Sequence, residues 1–191
     1  MTRRFTSEPV APRLLEDLLA TALRAPSAGF TQGVDLIAMT DPDARARFWE
    51  LATDARWRAR GSSSSGLRAA PAILLPLADP DAYVRRYGEH DKRASLLAGR
   101  PASQWAVPYW IVDASFVVMQ LLLAATDSGL GGLFFQLHAD PDVVLEGLGA
   151  PRGRVAIGAV AIGHRAAGDV RASPSTHRRR RLDEVVHMQR W

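Results

Sequence analysis

Clusters of cationic side chains stand near both ends of this sequence. Arg3 and Arg4 follow the first two residues, and four consecutive arginines occupy positions 178 to 181. Lys92 is the only lysine among the 24 basic residues, so guanidinium groups carry almost all of the positive charge behind the formal net charge of +4. Guanidinium binds phosphate and carboxylate groups through paired hydrogen bonds. The two ends could therefore converge on one phosphate, although solvated arms or a nucleic-acid patch would have the same composition.

No other motif in the sequence points to metal, thiol or nucleic-acid chemistry. Zero cysteines exclude thiol redox catalysis and cysteine-type zinc sites. No helix-turn-helix, zinc or RNA-recognition pattern accompanies the arginines, so we expect no nucleic-acid partner. The histidines show no metal-ligand spacing, and we expect no metal site: His90, His138, His164, His177 and His187.

Two segments rich in small residues could face a flat ligand. The first, residues 25–33, reads APSAGFTQG and separates a leucine-rich helix from a strand. The second, residues 128–132, reads SGLGG between a long apolar segment and another strand. Its glycines can take positive φ and leave N–H groups open to a ligand, which predicts a ledge for a flat molecule. The alternative is a glycine that only ends the helix, followed by a bend.

A long apolar helix lies between these features. Nearly every side chain in 111–125 is apolar, which predicts a helix buried on all faces. Asp113, Ser115 and Gln120 interrupt the apolar run, so we do not expect it to cross a membrane. Because 191 residues supply limited cover, the burial of this helix predicts a homodimer. Asp113 is interpreted as an acid at the helix N-terminus, a partner of an arginine, or a proton donor.

Periodicity and turn residues predict the remaining elements. Helices are expected at 12–24, 41–58, from 79 and at 140–148, and strands at 34–39, 71–77, 133–137 and 154–162. The serine-rich segment 61–66 is expected to be a flexible loop. The prolines of strand 71–77 suggest that this strand lies at a sheet edge or has an irregular end. Segment 88–107 has the weakest pattern and would suit a mobile lid. Three aromatic residues at the end of this segment and just after it are interpreted as core or interface residues, with a lid role as the alternative: Trp105, Tyr109 and Trp110.

Together these elements indicate one α+β domain over residues 1–191. An extended N-terminal arm covers about residues 1–11, and a C-terminal arm covers about residues 168–191. The first residues contain no apolar segment followed by a cleavage site, so we expect a cytoplasmic protein.

Three parts of the sequence, in this order, resemble the nitroreductase family of flavin enzymes. They are RRF with the leucine helix and APSAGFTQ, then DASFVVMQLLLAATDSGLG, and finally RVAIGAVAIGH with RRRRLDEVVHMQRW. The resemblance implies a mostly antiparallel sheet flanked by helices, with the long buried helix at a homodimer interface. It also implies one FMN in each of two interface sites, reduced by NAD(P)H and reoxidised by nitroaromatic, quinone or similar flat acceptors.

The resemblance also carries over a set of cofactor-binding positions. Arg3 would contact the flavin phosphate or ring, Arg178 and Arg180 would bind the phosphate, and the 25–33 segment would lie under the ring. The full set is Arg3, Arg4, Ser27, Ala28, Gly29, Phe30, Gln32, Gly131, Gly132, Arg178 and Arg180. No catalytic acid, base or nucleophile is assigned, because in such enzymes the cofactor carries the electrons.

The sequence departs from the family pattern at three places. Met1 and Thr2 stand where an arginine and a serine usually precede Arg3, Phe30 replaces a common asparagine, and Gly33-Val34 replaces Pro-Trp. We expect Phe30 to line the flavin pocket, with a core position as the alternative. The departures also leave open a family member that binds a flavin or deazaflavin for storage or regulation, without turnover.

Overall fold

The computed structural model describes residues 1–59, 62–169 and 179–190. Its strands are β1 (Val34–Met39), β2 (Ala72–Ala78), β3 (Gly131–Phe135), β4 (Val155–Ala156) and β5 (Ala159–Gly163). Its helices are α1 (Pro12–Ala22), α2 (Pro42–Ala52), α3 (Ala55–Arg58), α4 (Ser62–Arg68), α5 (Pro80–Tyr87), α6 (Tyr109–Asp127) and α7 (Pro141–Gly147). Short 3₁₀ turns lie at Ala28–Phe30, His90–Lys92, Ala102–Gln104 and Leu182–Glu184.

The strands form one antiparallel sheet in the order β1-β2-β5-β3, and β4 pairs with the end of β2. The predicted α+β class and the mostly antiparallel sheet are both confirmed. Three helices begin at an Asp-Pro-Asp triplet, as predicted. In each, the first aspartate accepts hydrogen bonds from the open N–H groups of the first turn: Asp41 for α2, Asp79 for α5 and Asp140 for α7.

A hydrophobic core lies on each face of the sheet. One core is rich in aromatic rings from α2 and α3, including Phe48, Trp49 and Trp57. The other is aliphatic and comes largely from α1 and α6, with Leu18 and Leu121 near its centre. Because β2 is buried on both faces, its sequence is one continuous apolar run.

The expected edge position of this strand is wrong, because β2 lies inside the sheet between β1 and β5. Its proline is accommodated at a break in the ladder. β5 pairs with β2 up to Leu74 and β4 begins pairing at Leu77, so Pro76 lies where neither strand reaches. The same break divides the predicted 154–162 strand, and Gly158 between the two pieces has a φ of 137°.

Two local predictions between β1 and β2 are also corrected. The predicted 41–58 helix ends at Ala52, because Thr53 is extended and Asp54 begins α3 by accepting a hydrogen bond from the Trp57 N–H at 2.6 Å. The serine-rich segment expected as a loop lies largely in α4. The Gly66 carbonyl of α4 accepts the Phe5 N–H at 3.0 Å, so a tertiary contact fixes a segment whose composition favours flexibility.

The long helix α6 is buried on one face only within this chain. Its inner face packs on α1 and the sheet, and the Gln120 amide donates to the Thr21 carbonyl. Its outer face exposes Phe116, Met119 and Leu123. The predicted burial on every face included cover from a second subunit, so this chain meets it on the inner face, and cover of the outer face stays a prediction. By length and composition alone α6 could cross a membrane, but such a helix is equally typical of a protein core.

Candidate functional site

The segment from Ser27 to Gly33, called the turn below, has an unusual backbone. Gly29, Phe30 and Gln32 all have positive φ, at 64°, 55° and 53°. The Ser27 carbonyl accepts the Phe30 N–H at 2.9 Å, and the Ser27 hydroxyl accepts the Gln32 N–H at 3.0 Å. A left-handed phenylalanine is unfavourable by itself, so the surroundings must hold the turn in this form.

A buried carboxylate fixes the start of the turn. Asp113 of α6 is 3% exposed, and its Oδ2 accepts hydrogen bonds from the Ala28 N–H at 2.8 Å and the Tyr83 hydroxyl at 2.6 Å. Tyr83 also packs on Gly33, the last residue of the turn, since a Cβ on Gly33 would come within 2.5 Å of the Tyr83 Cε2. The Asp113–Tyr83 pair therefore contacts both ends of the turn. Burial and the Asp113 carboxylate raise the pKa of Tyr83 far above 10, which keeps the phenol protonated as the donor.

This geometry corrects two interpretations of Asp113. α6 begins at Tyr109, so Asp113 lies beyond its first turn and is not an N-terminal acid. Its partners are a tyrosine hydroxyl and a backbone amide rather than an arginine. The side chain ties α6 to the turn and to α5.

Arg86 of α5 holds the turn from another side. Its Nε donates to the Gly29 carbonyl at 2.9 Å, and its two terminal nitrogens bind both carboxylate oxygens of Asp91 at 2.7 Å. A further contact of 2.9 Å joins it to Glu89. The Arg86 guanidinium lowers the pKa of Asp91 to about 2. One side chain therefore links the turn to the 88–107 segment.

Aromatic rings stand beside the turn, and we call them the aromatic wall: Tyr83, Tyr87, Trp105, Tyr109 and Trp110. Trp105 is buried and its indole N–H donates to the Arg100 carbonyl, which agrees with a core position. Tyr87 and Trp105 meet edge to face, with ring centroids 5.1 Å apart. The 88–107 segment packs through Trp105, and its role as a lid stays a prediction.

A small cavity of about 190 Å³ lies behind the turn, lined in part by Ser27, Gln32 and Asp113. Cofactor pockets usually measure about 300–1,000 Å³, so this cavity alone is too small for a flavin. Phe30 is 76% exposed, which excludes the core alternative for that ring.

The N-terminal arm forms a second cluster, called the arm below and comprising Met1 to Thr6. Oδ1 of Asp169 accepts the N–H groups of Arg3 and Arg4, each at 3.0 Å. Phe5 forms an isolated bridge with Arg165. Within the described residues, neither the Arg3 nor the Arg4 guanidinium has a carboxylate partner, so both forks are free to bind an anion.

The glycines after α6 shape the arm rather than an open ledge. Gly129, with a φ of 75°, ends the helix, whereas Gly131 and Gly132 lie in β3. A Cβ on Gly131 would come within 2.5 Å of the Thr2 hydroxyl oxygen, and the Thr2 N–H donates to the Gly132 carbonyl at 3.0 Å. The predicted ledge in 128–132 is therefore closed at Gly131, where Thr2 fills the space, and ligand contacts in the rest of this segment stay a prediction.

The C-terminal arginines are placed only in part. Arg178 lies outside the described residues. Arg180 donates from its guanidinium to the Glu184 carbonyl in its own segment, and Arg181 binds Asp183. The convergence of the two chain ends on one phosphate stays a prediction. In the parts of the chain that the structure describes, no group of three acidic or histidine residues could hold a metal ion.

The arm and the turn lie at opposite ends of α6. Asp113 holds the turn near the start of the helix, and Ala125, whose carbonyl accepts the Leu130 N–H, leads into β3 beside the arm. Twelve residues separate Asp113 from Ala125, about 18 Å along a helix axis. The sequence residues singled out for one site therefore form two separate clusters in one chain.

Sequence reasoning missed three residues that organise these clusters: Tyr83, Arg86 and Asp169. Tyr83 and Arg86 lie in an ordinary amphipathic helix, and Asp169 lies in a polar tail. The sequence shows each of them only as a polar side chain. Their burial or half-burial, which makes them important, appears only after folding.

Comparison with known proteins gives consistent matches. The sequence model of the nitroreductase family matches residues 1–164. A protein named NADH dehydrogenase from Thermus thermophilus is 28% identical over 175 residues, which cover 85% of this chain and 80% of that protein. A protein named FMN reductase [NAD(P)H] from Bacillus subtilis is 27% identical over 85% of this chain, which spans only 61% of that relative's length.

The fold also matches solved structures. A nitroreductase family protein from Streptococcus pneumoniae TIGR4 superposes with a TM-score of 0.70, covering 97% of this chain and 94% of that one. The two sequences are 22% identical, so this likeness concerns the fold alone.

Proposed function

The chain belongs to the nitroreductase family, and we propose that it is a homodimeric FMN-dependent oxidoreductase that takes electrons from NAD(P)H. The proposed acceptors are nitroaromatics, quinones or similar flat molecules. The relatives named for FMN reduction and NADH oxidation support the coarse activity. The observation that carries the proposal is the position of the arm and the turn at opposite ends of α6, with an exposed apolar face between them.

That apolar face supports a two-fold dimer. Phe116, Met119 and Leu123 follow one another at helical spacing and are 46%, 56% and 63% exposed. A hollow of about 390 Å³ runs along the same side of α6 and includes Met1 of the arm. A two-fold axis perpendicular to α6 and near its middle would pack this helix antiparallel to its copy in the second subunit. The arm of one subunit would then lie beside the turn of the other, which makes two composite sites.

The residues at such a composite site suit FMN. The free guanidinium groups of Arg3 and Arg4 would bind the phosphate, together with Arg178 and Arg180. Ser27, Gly29 and Gln32 would provide polar contacts at the ring edge, and Ala28, whose N–H is bound by Asp113, would hold them in place.

The remaining positions in this set would shape the space around the ring. Exposed Phe30 would add an apolar surface, and Gly131 and Gly132 would keep the arm close to β3. When bound, FMN supplies the electron transfer, and the chain's task is to bind, orient and shield it. We place the protein in the cytoplasm, where NAD(P)H is supplied; cell fractionation tests this location.

The test joins assembly to cofactor binding. Sedimentation at micromolar concentration should give a dimer, and the purified protein should bind FMN and bleach with NAD(P)H. Leu123→Glu should dissociate the dimer and abolish FMN binding together. Val143→Glu is the matched control, because Val143 is 56% exposed on α7 and lies off the apolar face.

A monomeric wild type, or a dimer that gains no FMN, would overturn this proposal. A yellow dimer that NAD(P)H does not bleach would instead support the storage or regulatory role. The double change Arg178→Ala, Arg180→Ala should weaken FMN binding by more than tenfold, since charge-assisted hydrogen bonds contribute about 1.5–3 kcal/mol each. Unchanged affinity would remove both residues from the site.

A further inference from the structure

The only lysine of the chain stands at the turn. A Cβ on Gly29 would come within 3.3 Å of the Lys92 Cε and 3.0 Å of the Tyr87 Cε2. Gly29 is therefore closely covered by these two side chains, and its positive φ of 64° also favours glycine. The Lys92 ammonium lies 5.6 Å from the centroid of the Tyr87 ring, a distance that allows a cation–π contact.

Lys92 is also the cation beside the turn whose charge has no bound partner among the described residues. Arg86 is occupied, since it binds the Gly29 carbonyl, Glu89 and both oxygens of Asp91. The Lys92 charge contributes to the lowered pKa of Asp91, but both carboxylate oxygens of Asp91 are bound by Arg86. Lys92 forms no ion pair within the described ranges, and its stem packs on the turn and the Tyr87 ring.

These contacts hold an uncompensated positive charge next to the aromatic wall. A ring is flat and apolar, and an ammonium is a compact point charge. A ligand that stacks beside Tyr87 and carries an anionic group would satisfy both surfaces at once. Packing of the lysine stem reduces the entropy lost when its ammonium binds that group.

We propose that Lys92 recognises an anionic group on a substrate of this site, either the carboxylate of a flat aromatic acceptor or the 2′-phosphate of NADPH. The inference rests on the proposed function, because it assigns the substrate class of the same flavin site. Lys92 acts here as a specificity-determining residue rather than as a proton donor.

The experiment compares matched substrate pairs on the FMN-loaded dimer. The first pair is 4-nitrobenzoate and 4-nitrobenzamide at saturating NAD(P)H, and the second is NADPH and NADH with the neutral acceptor. The measured quantity is the ratio of kcat/KM for each pair, with the member that carries the additional anionic group divided by the member that lacks it. The variants are Lys92→Met and Lys92→Arg. Arg13→Met is the control, because the Arg13 side chain is 88% exposed and its ion-pair partner within the described ranges is the exposed Asp17.

Lys92→Met should lower the ratio about fivefold to tenfold for one pair, as expected for a half-buried charge-assisted contact. Lys92→Arg and Arg13→Met should keep the ratio within twofold of the wild type. A change in the first pair identifies an acceptor carboxylate, and a change in the second identifies the 2′-phosphate.

Two results would overturn the inference. One is a wild type that reduces acceptors while Lys92→Met leaves both ratios unchanged. The other is an equal loss of kcat/KM for both substrates of each pair in Lys92→Met, which would assign Lys92 a purely structural role. A wild type that binds no FMN and reduces neither acceptor is a different outcome, because it defeats the proposed function itself.

Discussion

The two ends of α6 are built by different means. At its start, buried and half-buried side chains hold the turn: Asp113 binds its Ala28 N–H, Tyr83 binds Asp113 and packs on Gly33, and Arg86 binds its Gly29 carbonyl. At its other end, main-chain groups, a close approach to glycines and a single carboxylate, that of Asp169, hold the arm. Thr2 bonds to the Gly132 carbonyl, and Gly131 leaves room for it.

This difference has consequences for stability. A side-chain network in a buried place is lost when one member is removed, because its partners keep their desolvation cost without a hydrogen bond. A chain end that lies on glycines can detach without disturbing the rest of the domain. We expect the turn end to control global stability and the arm end to control local order.

The largest effect should follow Asp113→Ala. The change leaves the Tyr83 hydroxyl and the Ala28 N–H buried without their acceptor, so the free energy of unfolding should fall by about 3 kcal/mol. Denaturant unfolding measures this. Asp17→Ala, which removes an exposed ion pair, should cost less than about 0.5 kcal/mol. A loss below about 1 kcal/mol for Asp113→Ala would contradict a central role of this network.

Tyr83→Phe should cost less at neutral pH, about 1–2 kcal/mol, and should change the alkaline pH dependence. The pKa of Tyr83 is raised in the folded state, so its contribution is present below about pH 10 and is lost as pH rises. The wild-type unfolding free energy should therefore decline above pH 10, by about 1.4 kcal/mol per pH unit for this group. Tyr83→Phe should flatten the decline by that amount, and Tyr87, whose pKa is also raised, should account for part of the remainder. If the unfolding free energies of the wild type and of Tyr83→Phe decline with equal slopes above pH 10, folding does not raise the pKa of Tyr83.

Gly131→Val tests the arm end. The new side chain collides with Thr2, and relief comes from displacing the arm at a cost of about 1–2 kcal/mol. Trypsin should then cleave after Arg3 and Arg4 at least several times faster, as followed by mass spectrometry. Gly129→Ala is the control, since open space surrounds Gly129 and only its positive φ is strained. Rapid cleavage in both variants would attribute arm release to general loss of stability.

The smallest stability effect should come from Phe30→Asn. Phe30 is exposed and left-handed, and asparagine tolerates that conformation better, so unfolding free energy should stay equal or rise by up to about 1 kcal/mol. FMN affinity or the acceptor profile should change if Phe30 lines the composite site. A destabilised protein with unchanged flavin binding would place Phe30 outside the site.

Much of the architecture was predictable because it depends on local pattern. The apolar runs of β1 and β2, the leucine spacing of α1 and the Asp-Pro-Asp helix starts all lie where their sequences indicate. The failures occur where distant segments compete with local preference. Segment 61–66 is helical in large part although its composition favours a loop, and the arm lies against Gly66.

The candidate site divides in the same way. Sequence resemblance selected the turn and the arm from residue types that suit phosphate and a flat ring, and the structure describes both segments as ordered. The resemblance could not show that about 18 Å of helix separates the turn from the arm. Nor could it show that Tyr83 and Arg86 help to hold the turn and that Asp169 holds the arm. Those partners are 30, 57 and 166 residues away from the groups they bind, and no periodic pattern records such contacts.

The sequence by itself determined the α+β class, the family and the chemical character of the site, because periodicity, composition and motif order are local properties of the chain. Only the tertiary structure decided which carboxylate is buried, which cation beside the turn lacks an ion-pair partner in the described part of the chain, and which face of α6 is left open. Each of these depends on segments far apart in sequence arriving at one place, where burial raises the free-energy cost of any polar group that lacks a partner.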